Sequence, residues 1–480
     1  MRVDPPQLEP RRDLTLTHAS ALVVGVIIGT GVFLKSASMA QAVGTPGLVL
    51  AAWVVAGVVA MFGALCFAEL GALLPHAGGE YVYLRRAYGE VPGFLFACNA
   101  FVLGGAALAA YGAAVAIFLA DIHPFDREFF AFSGHLLGVS FRFAFGVRSL
   151  VAIGVIWLFA AINCAGVVFG GRVQSFLTAA KVLAVLGVAL GVLFFSRSRT
   201  LANFAAGGAG NGGFAGFGAA LFAALWAYSG WQFLPMAAAE VREPQRALPR
   251  AIVGGTLVVL ALYLAVNFAY LYALPFWQVT SANSTAYPDA PSVAARAVQT
   301  FLGAGAAPVA ALIFLISTVG SLNGMMLSAA RVPYAAARDG LFFAAFGRLN
   351  RGARVPAFSL VLLAAWSTVL AASGTFDQLT NMATMSYALF WIPVSLAVIV
   401  LRRRLPDAPR PYRVPLYPLV PLVFALVMVW IVVSALLTSP RESLAAIVLI
   451  LLGLPLYPLF RRRRGAVAAA AVTPSPAPRG

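Results

Sequence analysis

Long apolar stretches dominate the chain, and short segments rich in charged and turn-forming residues separate them. Most stretches reach about 20 residues, the length that an α-helix needs to cross the hydrocarbon core of a bilayer. The pattern predicts an all-α membrane protein with twelve membrane-spanning helices. They cover roughly 17–40, 46–74, 91–120, 149–169, 173–195, 214–240, 251–273, 304–330, 356–373, 378–401, 416–437 and 443–460.

Two of these stretches contain residues that weaken a helix near its middle. The first carries the sequence VIIGTGVF over Val26–Phe33, and the sixth carries WAYSGW over Trp226–Trp231 with Pro235 after it. Glycine also lets membrane helices pack closely, which is the simpler explanation for either site alone. The two sites lie five spans apart, however, and an odd number of spans inverts the second unit. We therefore expect two inverted five-helix repeats with discontinuous helices 1 and 6, followed by two extra helices.

A broken helix exposes main-chain groups that an intact helix satisfies internally. Inside a bilayer such groups are tolerated only where protein or water covers them. The N–H groups that begin the outer half carry partial positive charge and suit a carboxylate, whereas the carbonyl groups that end the inner half suit an ammonium group. An α-amino acid carries both groups one carbon apart. The pattern therefore favours an amino acid as the ligand.

Composition supports a membrane protein and excludes several other classes. The chain is 61% hydrophobic and 10% charged, whereas soluble domains carry about 25% charged residues. The net charge of +17 does not indicate nucleic-acid binding, because the basic residues lie between apolar stretches and form no single solvated face. Membrane lipid, and not nucleic acid, is the expected environment.

The distribution of basic residues predicts the orientation. With the N-terminus inside, the inner segments hold 24 of the 33 basic residues, the outer segments hold eight, and Lys181 lies within a span. Cytoplasmic loops carry the excess of Lys and Arg. We expect a multi-pass protein of the cell (inner) membrane with both termini in the cytoplasm.

The predicted spans and repeats divide the chain into five parts. These are a cytoplasmic N-terminal segment (1–16), the first repeat (17–200), the second repeat (201–403), helices 11 and 12 (404–464) and a disordered cytoplasmic tail (465–480). Between spans 2 and 3, residues 75–90 predict a short interfacial helix. The outer segment 121–148 contains Asp121, His123, Asp126 and His135, but a solvated loop is a better interpretation than a metal site.

Several motifs resemble those of one transporter superfamily. GTGVF (Gly29–Phe33), the stretch Cys66–Leu84 and the stretch Ala227–Ile252 resemble the amino acid–polyamine–organocation superfamily. Gly320–Gly340 and Gly453–Phe460 are similar to its L-type amino acid transporter branch. The matches run in the expected order from about residue 15 to 460. The resemblance implies a LeuT-type fold.

The resemblance also implies roles for individual residues. The backbone N–H groups of Thr30 and Gly31 would bind the substrate carboxylate, and carbonyl groups of Ile27, Trp226 and Ser229 would bind its amine. Trp226 would gate the outer path, with ordinary packing as the alternative. The predicted substrate-binding residues are Ile27, Gly29, Thr30, Gly31, Trp226, Ala227 and Ser229. The family often has glycine at the position of Ser229, so the serine narrows the pocket and disfavours large side chains.

Three charged residues near the spans have more than one interpretation. In the L-type branch a lysine that matches Lys181 occupies the place of a sodium ion, which would make transport independent of sodium. Alternatively, the Lys181 side chain reaches the inner membrane surface. Glu69 and Glu240 end their spans near the inner face, where hydrogen bonding to arginine or backbone is a better interpretation than proton coupling.

Other chemistry is not expected. The spans contain no His beyond His18 at an edge, no Asp pair and no metal-ligand cluster, so we predict no enzyme, catalytic residue, cofactor or metal. Cys66, Cys98 and Cys164 all lie within spans. Animal L-type relatives use a cysteine in the outer segment to bind a single-span partner, so no disulfide-linked heavy chain is expected and the chain is expected to act as a monomer.

The resulting prediction is a secondary active transporter that moves neutral α-amino acids by alternating access, as a sodium-independent exchanger. Proton-coupled amino acid symport and cationic amino acid or polyamine antiport remain as alternatives. A cation carrier should place an acidic residue in the pocket, and none lies near Gly29 or Ser229 in the sequence.

Overall fold

A computed structural model provides the architecture of the chain. It describes residues 8–461 except 124, 126, 137–138, 206, 208–212, 285, 288–289 and 374–375. The predicted disordered tail, 465–480, and residues 1–7 of the predicted N-terminal segment lie outside the described residues.

Helices form most of the described chain. In the first half they are α1 (Leu16–Ile27), α2 (Gly31–Val43), α3 (Pro46–Leu73), α4 (Glu80–Tyr88), α5 (Glu90–Ile122), α6 (Val147–Ala165) and α7 (Val167–Phe195). In the second half they are α8 (Gly213–Tyr228), α9 (Phe233–Met236), α10 (Pro244–Ala273), α11 (Phe276–Thr280), α12 (Val293–Leu302), α13 (Ala306–Ala329), α14 (Arg331–Arg338), α15 (Ala357–Ser373), α16 (Phe376–Arg404), α17 (Leu419–Thr438) and α18 (Pro440–Leu451). Short 3₁₀ turns cover Leu201–Ala205, Ala238–Glu240, Gly303–Gly305, Ala344–Gly347 and Leu454–Leu456.

The apolar helices are long enough to cross a membrane several times. Ten stretches of the described chain have the length and composition of a membrane span, and α1 with α2 counts as one of them. Two further apolar helices, α8 and Ala357–Ala372, are shorter than these stretches. The chain is therefore a multi-pass membrane protein, and its apolar segments follow the order that the sequence predicted.

The outer segment contains the one departure from helix among the secondary-structure elements described. Strand β1 (Glu128–Leu136) pairs antiparallel with strand β2 (Val139–Gly146). The expectation of an all-α protein with a plain loop here was therefore wrong in this segment. The strands are rich in phenylalanine at alternating positions, the period that suits a strand.

The connection between α2 and α3 shows how local sequence ends and restarts a helix. Gly44 follows α2 with φ 74°, a left-handed conformation that glycine adopts without a steric penalty. The Thr45 side chain then accepts a hydrogen bond from the N–H of Leu48 at 3.3 Å, and Pro46 occupies the first position of α3. These residues allow a sharp reversal.

The two interrupted helices lie inside the bundle. Helix α1 packs against α7, α10 and α13, and α2 packs against α8. Helix α4, the short helix predicted between spans 2 and 3, packs against α5 and α16. Since the interruptions are surrounded by other helices, their main-chain polar groups are shielded from lipid, as a bilayer requires.

Candidate functional site at the two helix breaks

The first break separates α1 from α2 where the sequence predicted a discontinuous helix. Residues Ile28, Gly29 and Thr30 are not helical, and Ile28 has φ −70° and ψ 84°. Ile28 is 0% exposed and Thr30 is 1% exposed. The interruption is therefore buried protein, not a surface loop.

Free N–H groups face the break from the start of α2. The carbonyl oxygen of Thr30 accepts hydrogen bonds from the N–H groups of Phe33 and Leu34, both at 3.2 Å. Within the described part of the chain, no group accepts a hydrogen bond from the N–H of Thr30, Gly31 or Val32. Three consecutive donors at a helix N-terminus form a site of partial positive charge.

Lys181 occupies the opposite side of the first break. Its Nζ donates hydrogen bonds to the carbonyl oxygens of Gly25 and Ile28, the latter at 2.7 Å, and lies 3.2 Å from the Ser321 hydroxyl. A Cβ at Gly320 would lie 2.7 Å from the Lys181 Cε, so a glycine there makes room for the side chain. Lys181 is 0% exposed and does not extend to the membrane surface.

Two serines on α13 complete this polar cluster. The Ser317 hydroxyl lies 3.0 Å from the carbonyl oxygen of Ile28 and 3.1 Å from that of Gly29. The Ser321 hydroxyl contacts the carbonyl oxygens of Gly25 and Ile28 at 3.2 Å. Neither residue was predicted from the sequence. Their spacing of four residues places them on one face of a helix, which was an available signal.

The second break separates α8 from α9. The N–H of Ser229 donates to the carbonyl oxygen of Trp226 at 3.1 Å, and the N–H of Gly230 donates to the Gln232 side-chain oxygen at 2.8 Å. The Gln232 amide in turn donates to the Ser229 hydroxyl at 3.0 Å. This local network satisfies part of the unwound chain. It also occupies the Trp226 carbonyl, one of the groups expected to face a substrate amine.

Glycines bring the two breaks into contact. Gly230 has φ 153°, and a Cβ there would lie 2.6 Å from the backbone nitrogen of Ile27. A Cβ at Gly31 would lie 2.5 Å from the Cβ of Ala227. Because any side chain would push the two segments apart, glycine is required at both positions.

Tyr263 on α10 joins the breaks and was not found from the sequence. Its hydroxyl lies 2.8 Å from the carbonyl oxygen of Ile27 and 3.1 Å from that of Ala227. Its ring packs edge-on against Trp53 with centroids 5.5 Å apart. One hydroxyl proton thus serves two carbonyl groups that end the helical segments before the breaks. The stretch also contains Tyr270 and Tyr272, and nothing in the sequence distinguished Tyr263 from them.

Aromatic rings cover the breaks. The Trp226 ring stacks on the Tyr111 ring with centroids 6.4 Å apart and planes 21° apart. A cavity of about 10 Å³ lies beside Trp226 and Ser229, next to Tyr387. This volume holds about one water molecule and no amino acid. Because Ile28 and Thr30 are buried and the two breaks touch at Gly230 and Gly31, the structure represents a closed arrangement of the two breaks.

Buried ion pairs join the ends of separate helices. Glu240 pairs with Arg331 through two oxygens at 2.9 and 3.1 Å, and both side chains are 2% exposed. The carbonyl oxygen of Glu240 accepts from the N–H of Leu14 at 2.9 Å, which ties the start of the chain to the second broken helix.

Glu69 forms a second such pair. It binds Arg402 at 2.6 Å and accepts a hydrogen bond from the N–H of Val414 at 2.6 Å. Both glutamate side chains thus bond to arginine, and that of Glu69 also bonds to the backbone, as the sequence favoured.

The predicted site residues come together in space. Ile27, Gly29, Thr30 and Gly31 form the first break, while Trp226, Ala227 and Ser229 flank the second. The outer segment is less fully described: Asp126 lies outside the described residues. Among the described residues, no group of three His, Cys, Asp or Glu side chains is placed to hold a metal ion.

Comparison with known proteins identifies relatives along nearly the whole chain. The family model described as "Amino acid permease" matches residues 14–453. The serine/threonine exchanger SteT of Bacillus subtilis (strain 168) is 29% identical over 463 residues, covering 95% of this chain and 98% of that protein.

Animal proteins are similarly related. The human b(0,+)-type amino acid transporter 1 is 28% identical over 470 residues, covering 95% of this chain and 89% of the relative. The human cystine/glutamate transporter is 28% identical over 460 residues, covering 95% and 86% of the two chains.

Proposed function

The chain belongs to the amino acid permease family, which confirms the resemblance seen in its motifs, and on that premise we propose that it is a secondary active transporter that exchanges small neutral α-amino acids. The relatives are amino acid transporters and exchangers, so amino acid transport and the absence of enzymatic activity follow from the family. The choice of substrate, the coupling and the binding residues are parts of our proposal.

The unpaired N–H groups of Thr30, Gly31 and Val32 carry this proposal. They lie together at the start of α2, inside the bundle, where a carboxylate would gain charge-assisted hydrogen bonds and the favourable end of the helix dipole. Gly29 lets the ligand approach because it has no side chain. In our proposal the substrate carboxylate binds there.

The amine would bind at the carbonyl ends of the helical segments that precede the two breaks, α1 and α8. Ile27, Trp226 and Ser229 supply these carbonyl oxygens in our proposal, with Ala227 lining the same face. Tyr263 contacts the carbonyl oxygens of Ile27 and Ala227 in the closed arrangement. A substrate ammonium group would compete for these acceptors, so Tyr263 would change partners as substrate binds.

A neutral, small substrate fits the charges and the space near the breaks. Among the described residues, no Asp or Glu hydrogen-bonds to either break. The positively charged side chain of a cationic amino acid would therefore be buried there without a partner, which is costly. The Ser229 side chain lines the cavity beside Trp226. The relative in Bacillus subtilis exchanges serine and threonine, two amino acids of the expected size.

Lys181 is the basis for proposing independence from sodium. Its ammonium group already binds the carbonyl oxygens of Gly25 and Ile28. A fixed cation there leaves no vacancy for a mobile one. In our proposal, the Lys181 ammonium group permanently fills the place that a sodium ion would otherwise occupy.

The remaining structural assignments follow from the same proposal. We assign a LeuT-type layout of twelve spans, with α1–α2 and α8–α9 as the discontinuous helices of two inverted repeats. Both termini would lie in the cytoplasm of the cell (inner) membrane, according to the basic residues. Trp226 would act as the outer gate. The chain would work as a monomer without a disulfide-linked heavy chain.

Uptake by purified protein in liposomes tests the proposed function. Labelled amino acids of different size and charge are supplied outside, with or without unlabelled amino acid inside, with sodium or potassium, and with or without a pH gradient. We expect uptake of serine-sized neutral amino acids that requires internal amino acid and is unchanged by sodium. Uptake driven by sodium, or selective uptake of lysine or polyamines, would contradict the proposal.

A further inference from the structure

Glu80, at the start of α4, is a buried carboxyl group that the proposed function does not use. The residue is 0% exposed, and both of its carboxyl oxygens are buried. Within the described residues, no side chain donates a hydrogen bond to either oxygen. Glu69 and Glu240, which are equally buried, each pair with an arginine. Glu80 therefore differs from both in having no cationic partner.

The turn that precedes α4, Gly78 and Gly79, lies against the end of α9 in the second broken helix. The N–H of Gly78 donates to the carbonyl oxygen of Met236, the last residue of α9, at 2.9 Å. A Cβ at Gly79 would lie 3.0 Å from the backbone nitrogen of Met236. Any movement that separates α9 from this segment would break these contacts and open a path for water to Glu80.

The groups that face Glu80 are phenols. Glu80 interacts electrostatically with Tyr83 on α4 and with Tyr387 on α16. Segment α9 contributes Phe233 to Met236, none of which titrates. On neighbouring elements the carboxylates Glu69 and Glu240 are neutralised by their arginine partners. Tyr387 also lines the small cavity beside Ser229. This tyrosine therefore lies between Glu80 and the second break.

We propose that Glu80 is a proton-binding site on the inner side of the protein, occupied while the Gly78–Gly79 turn before α4 packs against α9 and emptied when the turn and α9 separate. This inference rests on the proposed alternating-access function and adds a proton to its cycle. On opening, the proton moves from a carboxyl oxygen of Glu80 to water, and Glu80 becomes negatively charged. On closing, a proton from water returns to Glu80 and neutralises it.

The position of Glu80 sets the direction of the pH effect. Burial raises the pKa of Glu80 to about 8, and the hydrogen bond from its own backbone only partly lowers that pKa. A hydrated glutamate has a pKa of about 4.3. Because the pKa of Glu80 is higher in the closed arrangement, closing takes up a proton when the pH lies between these two pKa values. Closing is therefore favoured at low pH, and that advantage is lost as the pH rises through about 8.

Infrared difference spectroscopy tests the site directly. The purified protein is titrated through neutral pH, and the C=O stretching band of a protonated carboxylic acid is followed. We expect a band that disappears near pH 8 in the unmodified protein and is missing in Glu80→Gln. Glu243→Gln is the matched control, because the Glu243 side chain is 77% exposed. Persistence of the band in Glu80→Gln, or its absence from the unmodified protein, would overturn the proposal.

Exchange in liposomes provides the second readout. With equal pH on both sides, exchange by the unmodified protein and by Glu243→Gln should accelerate as the pH is raised toward about 8, whereas exchange by Glu80→Gln should not depend on pH in this range. An unchanged profile in Glu80→Gln would contradict the inference. If the unmodified protein transports no amino acid, the proposed function fails, and the infrared titration still decides whether Glu80 holds a proton.

Discussion

At the scale of single residues, a few side chains, or the absence of a side chain at glycine, determine how the unwound main chain at the breaks packs and forms hydrogen bonds. Gly230 and Gly31 allow two unwound segments to touch. Tyr263 and Lys181 then satisfy carbonyl oxygens that the unwinding releases. The glycines and the lysine were visible in the sequence because they are unusual within apolar stretches. Tyr263 was not visible, because its role depends on which helices pack together.

Replacing Lys181 tests whether its charge is needed at the first break. In Lys181→Met the carbonyl oxygens of Gly25 and Ile28 lose an ammonium donor, and hydrogen bonds to charged groups are worth about 1.5–3 kcal/mol. We expect exchange to fall at least about tenfold, the factor that corresponds to 1.4 kcal/mol. Initial exchange rates in liposomes measure the effect.

Lys35→Met is the matched control, since Lys35 is the other lysine of the chain and lies on α2 away from these carbonyl groups. We expect it to retain most of the exchange. Equal rates for the two variants would show that the Lys181 charge has no special role.

Replacing Ser229 tests the limit on substrate size. Ser229→Gly removes a hydroxymethyl group that lines the cavity beside Trp226 and accepts a hydrogen bond from Gln232. We expect larger amino acids such as leucine to compete better against labelled serine. One methylene group changes selectivity by about 1–3 kcal/mol, so the shift should be about tenfold or more.

Ser175→Gly makes the same chemical change on α7, where the hydroxyl bonds only to the carbonyl oxygen of Gly171 on its own helix. Competition should be unaltered there. If Ser229→Gly also leaves the order of competitors unchanged, Ser229 does not set the size of the pocket.

At the scale of secondary-structure elements, ion pairs and hydrogen bonds connect the inner ends of separate helices. The pair Glu240–Arg331 joins the 3₁₀ turn after α9 to the start of α14. Both side chains are buried, and a buried charge left without its partner is destabilising by about 3–5 kcal/mol. An exposed pair is worth at most about 1 kcal/mol.

This difference predicts the stability of two variants with the same substitution. Glu240→Gln leaves Arg331 buried and charged without its carboxylate, so the melting temperature should fall by several degrees. Glu243→Gln should change it little, because Glu243 and Arg246 are each 77% exposed and their charged atoms are 3.8 Å apart. Thermal unfolding in detergent measures both. Equal melting temperatures would show that the buried pair does not hold the inner ends together.

Elements were predictable to different degrees. Hydropathy predicted the apolar helices well, because a span must bury its backbone polar groups within one segment. The helix α4 was also found, since its aromatic residues recur at helical spacing. The hairpin β1–β2 was missed. The Asp and His residues of this outer segment were interpreted as a solvated loop, although phenylalanine occupies every second position from Phe141 to Phe145 in β2.

At the scale of the whole molecule, the proposed alternating access requires that the two breaks be reached from each side in turn. The structure shows them closed: Thr30 is 1% exposed, and the two unwound segments touch at Gly230 and Gly31. Rings cover the breaks, while ion pairs tie together the inner helix ends. Such a closed arrangement could not be read from the sequence, because it depends on packing among helices that are distant along the chain. The sequence could only place the breaks.

The central claim is that unwound main chain at the two breaks recognises both charged groups of one α-amino acid. The most direct measurement compares three competitors of labelled serine uptake in liposomes: serine, its analogue without the carboxylate (ethanolamine) and its analogue with a blocked amine (N-acetylserine). Each missing charge removes hydrogen bonds worth about 1.5–3 kcal/mol. We predict that serine competes and that both analogues compete at least about tenfold more weakly. If either analogue competes as well as serine, the breaks do not read that group and the account is wrong.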